Sequence, residues 1–284
     1  MSIESGVLYV VATPIGNLGD LTPRAEQILK SVALIAAEDT RHSKPLLHHF
    51  GITTPMLAYH EHNERQVMDK LLQRLREGDD IALISDAGTP LISDPGFPLV
   101  RACREQGVRV SPVPGVSAAI TALSVAGLPT DRFVFEGFPA RTQAARLKQF
   151  EALQDEQRTI VFYESSHRVL VSLQDIAQAF GADRLVVLAR ELTKTYETVL
   201  VDPVGKLIEQ VRQDSMQQKG EFVLLIAGYS RTQEDGLEPQ VERVMRILLA
   251  EMPVKQAAAI AAKLTGEKKN KLYQQALVWQ KESS

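Results

Sequence analysis

The stretch "LISDAGTPLISDPG", residues 83–96, sets two Asp, two Gly and two Pro directly after an apolar run. Gly88 and Gly96 let the backbone come close to a ligand, and Pro90 and Pro95 hold the loop in a defined shape before any ligand arrives. Three further stretches share this character: "ATPIGN", "EDTRH" and "VPGVSAA", the last carrying Pro114. A single such loop commonly does no more than punctuate a strand end. Four at the strand ends of one sheet point to a site for a small molecule held by backbone groups and small residues. Asp39 and Arg41, in "EDTRH", form either an ordinary salt bridge at a strand end or a charged lip for a phosphate-bearing substrate.

Several chemistries lack their signatures. There is no phosphate-loop pattern and no Gly-x-Gly-x-x-Gly after any strand, so nucleoside triphosphate and dinucleotide sites lose their main support. No Gly-x-Ser-x-Gly elbow is present for a hydrolase triad. Cys103 lies in the apolar helical stretch "PLVRACREQ" and reads as a buried thiol rather than a nucleophile. His60 and His62, in "YHEHNE", share a face but have no third ligand nearby, and no metal is expected. Asn63 in the same stretch suits the N-cap of a following helix.

The elements that must carry these loops follow from periodicity. Strand-like runs alternate with amphipathic stretches: "VLYVVAT", helix "TPRAEQILKSV", "ALIAAED", helix "NERQVMDKLLQRLREGDD", "IALISDAG", helix "FPLVRACREQG", "VRVSPVPG" and "SAAITALSVAG". Such alternation means parallel strands with crossover helices. Thr22 and Pro23 form an N-cap and first-turn pair, Gly78 and Gly107 fall where helices stop, and Val67, Leu71 and Leu75 make one buried stripe. A second set begins at "RFVFEGF" with "RTIVFYES", "SHRVLVSLQDIAQAFG", "RLVVLARELT", "PVGKLIEQVRQ" and "GEFVLLIAGY", whose strands are apolar enough for both faces to be covered. The stretch "SRTQEDGLEP" reads as a linker before three short helices. The expected fold class is α/β: an N-terminal α/β domain over 1–130, a C-terminal α/β domain over 131–231 and a helical extension over 239–284.

Composition sets the remaining bounds. At 284 residues with 44% hydrophobic and 24% charged content, the chain is ordinary globular material, without an apolar run approaching the ~20 residues of a membrane span. The opening "MSIESGVLYVVATPIG" does not read as a secretory signal, and a single cysteine allows no internal disulfide, which suits the cytoplasm. From Pro239 onward eight Lys/Arg stand against four Asp/Glu, leaving the rest of the chain at −7 against a total of −3. A basic tail on an acidic body suits a polyanionic partner, although a solvated helical face accounts for it equally.

Taken together, "LYVVATPIGNLGDLTPRA", "AAEDTRHS", "HEHNE", "ISDAGTPLISDPG", "PGVSAAITALSVAGL" and "FYESSHRV" resemble the ribosomal RNA small subunit methyltransferase I family of the tetrapyrrole methylase superfamily, from about Leu8 to Gly228. The resemblance implies two α/β domains of tetrapyrrole methylase type and a homodimer. It also implies S-adenosylmethionine, bound between the domains, as methyl donor to a cytidine 2'-hydroxyl of small-subunit ribosomal RNA, in the 30S particle. Where tetrapyrrole enzymes carry Gly-Gly-Asp-Pro, this chain has "AGTP", a departure that matches the RNA-directed branch. The implied cofactor contacts are Pro14, Asp86, Ala87, Gly88, Thr89, Pro90, Leu91, Ile92, Ser117, Ala118, Tyr163 and Leu192. The echo "SDPG" is expected to cap the next helix.

Methyl transfer to a ribose hydroxyl gains from a general base. Asp39, His60, Glu61 and Glu64 are expected to face the cleft, with Glu64 or Asp39 orienting or deprotonating the hydroxyl and Arg41 on a neighbouring phosphate. Lys255, Lys263, Lys268, Lys269 and Lys271 would grip RNA through a helix-turn-helix in "PVKQAAAIAAKLTGEKKNKLYQQAL". The alternatives are a precorrin C-methyltransferase and a non-enzymatic nucleic-acid-binding regulator.

Overall fold

Short aliphatic runs bounded by Gly, Pro and Asp become the strands of two sheets. A computed structural model describes residues 5–230, 237 and 239–282, and the chain divides into two compact units, Met1–Tyr229 and Ser230–Ser284.

In the first unit, β1 (Val7–Val11), α1 (Pro23–Ser31), β2 (Leu34–Ala37), α2 (Thr40–His49), β3 (Met56–Ala58), α3 (Glu64–Arg76), β4 (Ile81–Ile84), α4 (Phe97–Glu105), β5 (Arg109–Val113) and α5 (Ala118–Val125) follow one another. The strands form one all-parallel sheet in the order β3-β2-β4-β1-β5. Every residue of β2 and β4 is buried, because helices cover both faces. Leu8, Leu34, Leu83, Leu71 and Leu75 fill one side, while Val11, Ile35, Ile84, Ala25 and Leu29 fill the other. The Thr22 hydroxyl accepts from Ala25 N–H at 3.1 Å with Pro23 at the first helical position, and Gly78 and Gly107 follow their helices at φ 99° and 72°. Cys103 is fully buried, and burial pushes its thiol up to about 11.

The second sheet uses β6 (Phe133–Phe135), α6 (Gln143–Ala152), β7 (Thr159–Ser165), α7 (Val169–Phe180), β8 (Leu185–Arg190), β9 (Thr198–Pro203), α8 (Val204–Gln213) and β10 (Glu221–Ile226), in the order β6-β7-β10-β8-β9. Only β6 and β7 pair in parallel; β10 lies antiparallel between β7 and β8, and β9 folds back antiparallel on β8. One face packs on α6, α7 and α8 through Phe150, Phe162 and Phe180. The other receives Ala119, Ala122 and Leu123 of α5 against Val161, Val187 and Val223. As expected, the middle strands are covered on both faces.

Three elements and two caps differ from the sequence reading. Helix α2 forms despite Pro45 in its interior, β3 is only three residues long, and β9 is a half-buried edge strand. Asn63 stands at the N-cap position of α3 but does not cap it; its side chain accepts from His60 N–H at 2.9 Å and donates to Ala58 O at 2.9 Å, closing the preceding turn. The residue at the N-cap of α4 is Gly96, so the "SDPG" echo supplies no side-chain cap.

The second unit contains α9 (Pro239–Glu251), α10 (Val254–Thr265) and α11 (Lys269–Glu282) around Leu237, Met245, Ala257, Ala261, Leu272 and Ala276. Gly266, left-handed at φ 76°, ends α10 and starts the turn into α11. Among the described residues, no helix is long and apolar enough to cross a membrane.

Candidate active site

The loops at the carboxyl ends of the parallel strands are tied to one another. Thr13 N–H donates to Gly88 O at 2.8 Å and Gly88 N–H returns to Thr13 O at 3.0 Å, joining the loops after β1 and β4. The Thr89 hydroxyl donates to Val116 O at 2.9 Å, which adds the loop after β5. On the other flank Asp86 N–H donates to Glu38 Oε2 at 3.3 Å and Asp39 N–H to Asp86 Oδ1 at 3.0 Å, so the end of β2 is bound in as well. Gly88 holds φ 81°, where a Cβ would strain the backbone and sit 3.4 Å from Ile15 Cγ2.

Between these loops and the second sheet lies a cavity of about 430 Å3. The parallel sheet contributes Ile15, Glu38, the segment 86–89, Ile92, Ser93, Asp94 and Ala118. The mixed sheet contributes Phe138, Tyr163, Glu164, Leu192 and the segment 220–223. Tyr163 reaches across, its hydroxyl oxygen accepting from Ala119 N–H in the first turn of α5 at 3.3 Å.

Carboxylates dominate the electrostatics of the first wall. Burial raises the Asp94 carboxyl to about 6, helped by the charges of Glu38 and Asp86 and opposed by a hydrogen bond from Ser85. Glu38 is raised as well, mainly by burial and further by Asp86 and Glu61. Glu164, 2% exposed, has its lone pairs taken: Ser165 N–H donates at 2.7 Å, Arg168 pairs at 2.9 Å, and the Ser172 hydroxyl holds the second oxygen.

Two strained segments bring apolar side chains to the cavity. Leu91 and Ser93 adopt φ 74° and 66° on either side of Ile92, and Glu191 and Thr193 adopt φ 49° and 67° on either side of Leu192. Non-glycine residues in this region cost roughly 1–3 kcal/mol each and persist where surrounding structure imposes them. For the second segment the surroundings include Lys194, whose Nζ binds Glu191 at 2.9 Å and Glu221 at 2.8 Å while its methylenes cross Gly16 of the loop after β1.

Of the residues named from sequence, Asp86, Ala87, Gly88, Thr89, Ile92, Ala118, Tyr163 and Leu192 line the cavity. Pro14 and Pro90 are buried outside its wall, Leu91 is half-buried in the strained turn, and Ser117 stands at the N-cap position of α5. Asp39, Arg41 and Glu64 are not part of the wall. Asp39 is the N-cap of α2, accepting from Arg41 N–H at 2.8 Å, and takes the Arg41 guanidinium at 2.7 Å, which holds its carboxyl well below the usual range. Glu64 opens α3. His60 and His62 sit edge to face, their ring centres 5.9 Å apart. Among the described residues no three His, Cys, Asp or Glu side chains are grouped to hold a metal. Sequence reasoning missed Glu38, Asp94, Phe138 and Glu164 as site residues, although all four fall inside stretches quoted above, Phe138 closing the strand run "RFVFEGF". In the second unit Lys255, Lys263, Lys268 and Lys269 are exposed, while Lys271 pairs with Glu267 at 3.7 Å.

The family model of Tetrapyrrole (Corrin/Porphyrin) Methylases matches residues 7–208, and that of the RsmI C-terminal HTH domain matches 235–280. The ribosomal RNA small subunit methyltransferase I of Pseudomonas aeruginosa is 55% identical over 276 residues, covering 97% of this chain and 98% of its own. Its counterpart from Escherichia coli O157:H7 is 54% identical over 274 residues, covering 96% of each chain. Among solved structures, the cobalt precorrin-4 methyltransferase CbiF superposes with a TM-score of 0.60 at 19% identity over 78% of this chain and 94% of its own. A diphthine synthase does so with a TM-score of 0.60 at 12% identity over 78% and 90%, and at such identities the likeness speaks for the fold alone. The chain belongs to the ribosomal RNA small subunit methyltransferase I family, within the tetrapyrrole methylases.

Proposed function

We propose that this methyltransferase carries a methyl group from S-adenosylmethionine to the 2'-hydroxyl of a cytidine in small-subunit (16S) ribosomal RNA, acting on the 30S particle as a cytoplasmic homodimer. The near-full-length likeness to relatives named for ribosomal RNA methylation carries the reading. The superposed precorrin enzyme is nearly covered while about a fifth of this chain is left over, and the helix-turn-helix with its exposed lysines favours a nucleic acid over a corrin. A regulator without enzyme activity would leave the tied loops and their cavity unused.

The cavity suits the donor. Its volume falls in the roughly 300–1,000 Å3 range of small-molecule sites. Glu38, Asp86 and Asp94 line it with negative charge suited to a cationic ligand, and Ile15, Ile92, Phe138 and Leu192 give it apolar surface. The donor supplies an electrophilic methyl on a sulfonium, and in-line attack on that carbon needs placement more than covalent help. Asp86, Ala87, Gly88, Thr89, Ile92, Ala118, Tyr163 and Leu192 contact it, while Pro14, Pro90, Leu91 and Ser117 brace the loops that do. Arg41, its side chain 90% exposed and aimed by Asp39, meets a backbone phosphate. The two α/β sheets act as separate domains meeting at the donor, and exposed Phe97, Ile120 and Val125 give α4 and α5 apolar surface for a second subunit.

The test incubates the protein with labelled donor and 30S particles or naked ribosomal RNA from cells lacking the modification, then maps the methylated nucleotide. Methylation of a precorrin instead, or no donor binding by calorimetry, would overturn the reading. The Lys268→Ala/Lys269→Ala pair should weaken RNA binding and flatten its log–log salt dependence by roughly 2, about one phosphate contact per lysine. Donor affinity should not move.

A further inference from the structure

We propose that Asp94 is the residue that accepts the proton of the attacking ribose hydroxyl; this rests on the methyl-transfer reading above.

Five carboxylates line the cavity, and of these only Asp94 takes neither a charged partner nor a main-chain N–H from another loop, accepting just the Ser85 hydroxyl. Glu164 is saturated by Ser165, Arg168 and Ser172. Glu221 pairs with Lys194 at 2.8 Å. Asp86 accepts Asp39 N–H and Glu38 accepts Asp86 N–H, so both brace the loops. Asp94 faces Ser85 and Asp86 from the loop after β4, Glu38 from the end of β2 and Tyr163 from β7. Its position follows from Leu91 and Ser93, whose left-handed backbone turns the chain just before it. Burial in the cavity, and after it the charges of Glu38 and Asp86, raise the Asp94 carboxyl to about 6 and make it a better proton acceptor than Asp39, which is held by Arg41.

The step balances. The hydroxyl oxygen forms its bond to the methyl carbon with a lone pair, and the O–H proton passes to an Asp94 oxygen. The carbon–sulfur bond breaks with its electron pair going to sulfur, leaving a neutral thioether.

The experiment measures single-turnover methylation of 30S particles against pH for wild type, Asp94→Asn and Ser85→Ala, with donor affinity by calorimetry and carboxyl 13C titration by NMR. In the wild type the rate should fall below about pH 6, where the Asp94 carboxyl protonates. Asp94→Asn should lose roughly 10²–10⁴-fold in rate and lose that acid limb, while donor affinity, to which its charge contributes alongside Glu38 and Asp86, falls far less than the rate. Ser85→Ala removes the hydroxyl that favours the ionised form, so both the limb and the NMR midpoint should move to higher pH. If Asp94→Asn proves unfolded, Ser85→Ala decides alone. A near-wild-type rate in Asp94→Asn, or a limb unmoved by Ser85→Ala, overturns the assignment while the methylation reading stands. A wild-type protein that binds donor but methylates no RNA overturns both.

Discussion

The two walls of the cavity are built on opposite logic. The parallel sheet delivers all its strand ends to one edge, so its wall consists of loops that bind one another: Thr13 and Gly88 through their main chains, the Thr89 hydroxyl to Val116 O, and Asp39 N–H to the Asp86 carboxylate. The mixed sheet has its strands running both ways and presents side chains from strand β7, the start of β10 and a strained turn after β8. Order on the first wall comes from hydrogen bonds between loops, each with a main-chain group on at least one side. On the second it comes from buried charge and packed side chains, with Glu164 holding Ser165, Arg168 and Ser172. A change to the second wall is therefore expected to appear as lost stability, and a change to the first as lost ligand affinity.

The largest effect should come from Glu164→Ala. It strands the Arg168 charge and leaves the Ser172 hydroxyl, buried at 0%, without its acceptor. Removing one partner of a buried charge network costs about 3–5 kcal/mol. Denaturant unfolding followed by circular dichroism should show a loss of that size. A loss under 1 kcal/mol would mean the second wall is not held by this network.

Gly88→Val should act the other way. Valine at φ 81° is strained, and its branched side chain would press on Ile15 and break the Thr13–Gly88 ladder. Calorimetry should find donor affinity down by roughly 100-fold, about 2.7 kcal/mol, with secondary structure retained. Unchanged affinity would remove the tied loops from the binding site.

This asymmetry also explains what the sequence disclosed. The parallel sheet and its loops were legible because strand period, helix stops and Gly/Pro placement all act over a few residues. Helix α2 was hidden because Pro45 and a polar stretch argue against a helix, and only the burial of Ser43 and Leu47 overrides them. Strand β9 was hidden because an edge strand half-buried along its length carries no apolar alternation. Glu38 and Asp94 were each read beside a more conspicuous neighbour: Asp39 drew attention by its Arg41, and Asp94 looked like a helix cap. Which carboxylate is paired and which is left facing a cavity depends on chain segments dozens of residues apart, such as Asp86 N–H on Glu38. The antiparallel order of the second sheet has the same origin, since β10 inserts between strands that precede it by some thirty and sixty residues.

The smallest effect sharpens the comparison most, because it predicts a gain. Asp94 belongs to the affinity wall, and its carboxyl is raised on folding from an ordinary 3.8 to about 6. Between those values the folded chain binds more protons than the unfolded chain, so stability contributed by this group falls as pH rises through the window and stays low above it. Asp94→Asn removes the buried charge and should stabilise the protein above pH 6, on the order of 1 kcal/mol once solvent screening of a partly exposed carboxyl is allowed for. The gain should vanish below about pH 4, where both states hold the proton. Thermal unfolding at pH 8 and, as far as solubility allows, near pH 4 checks it. A variant less stable than wild type at pH 8 would place Asp94 among the structural carboxylates with Glu164, and the division between the two walls would fail at that residue.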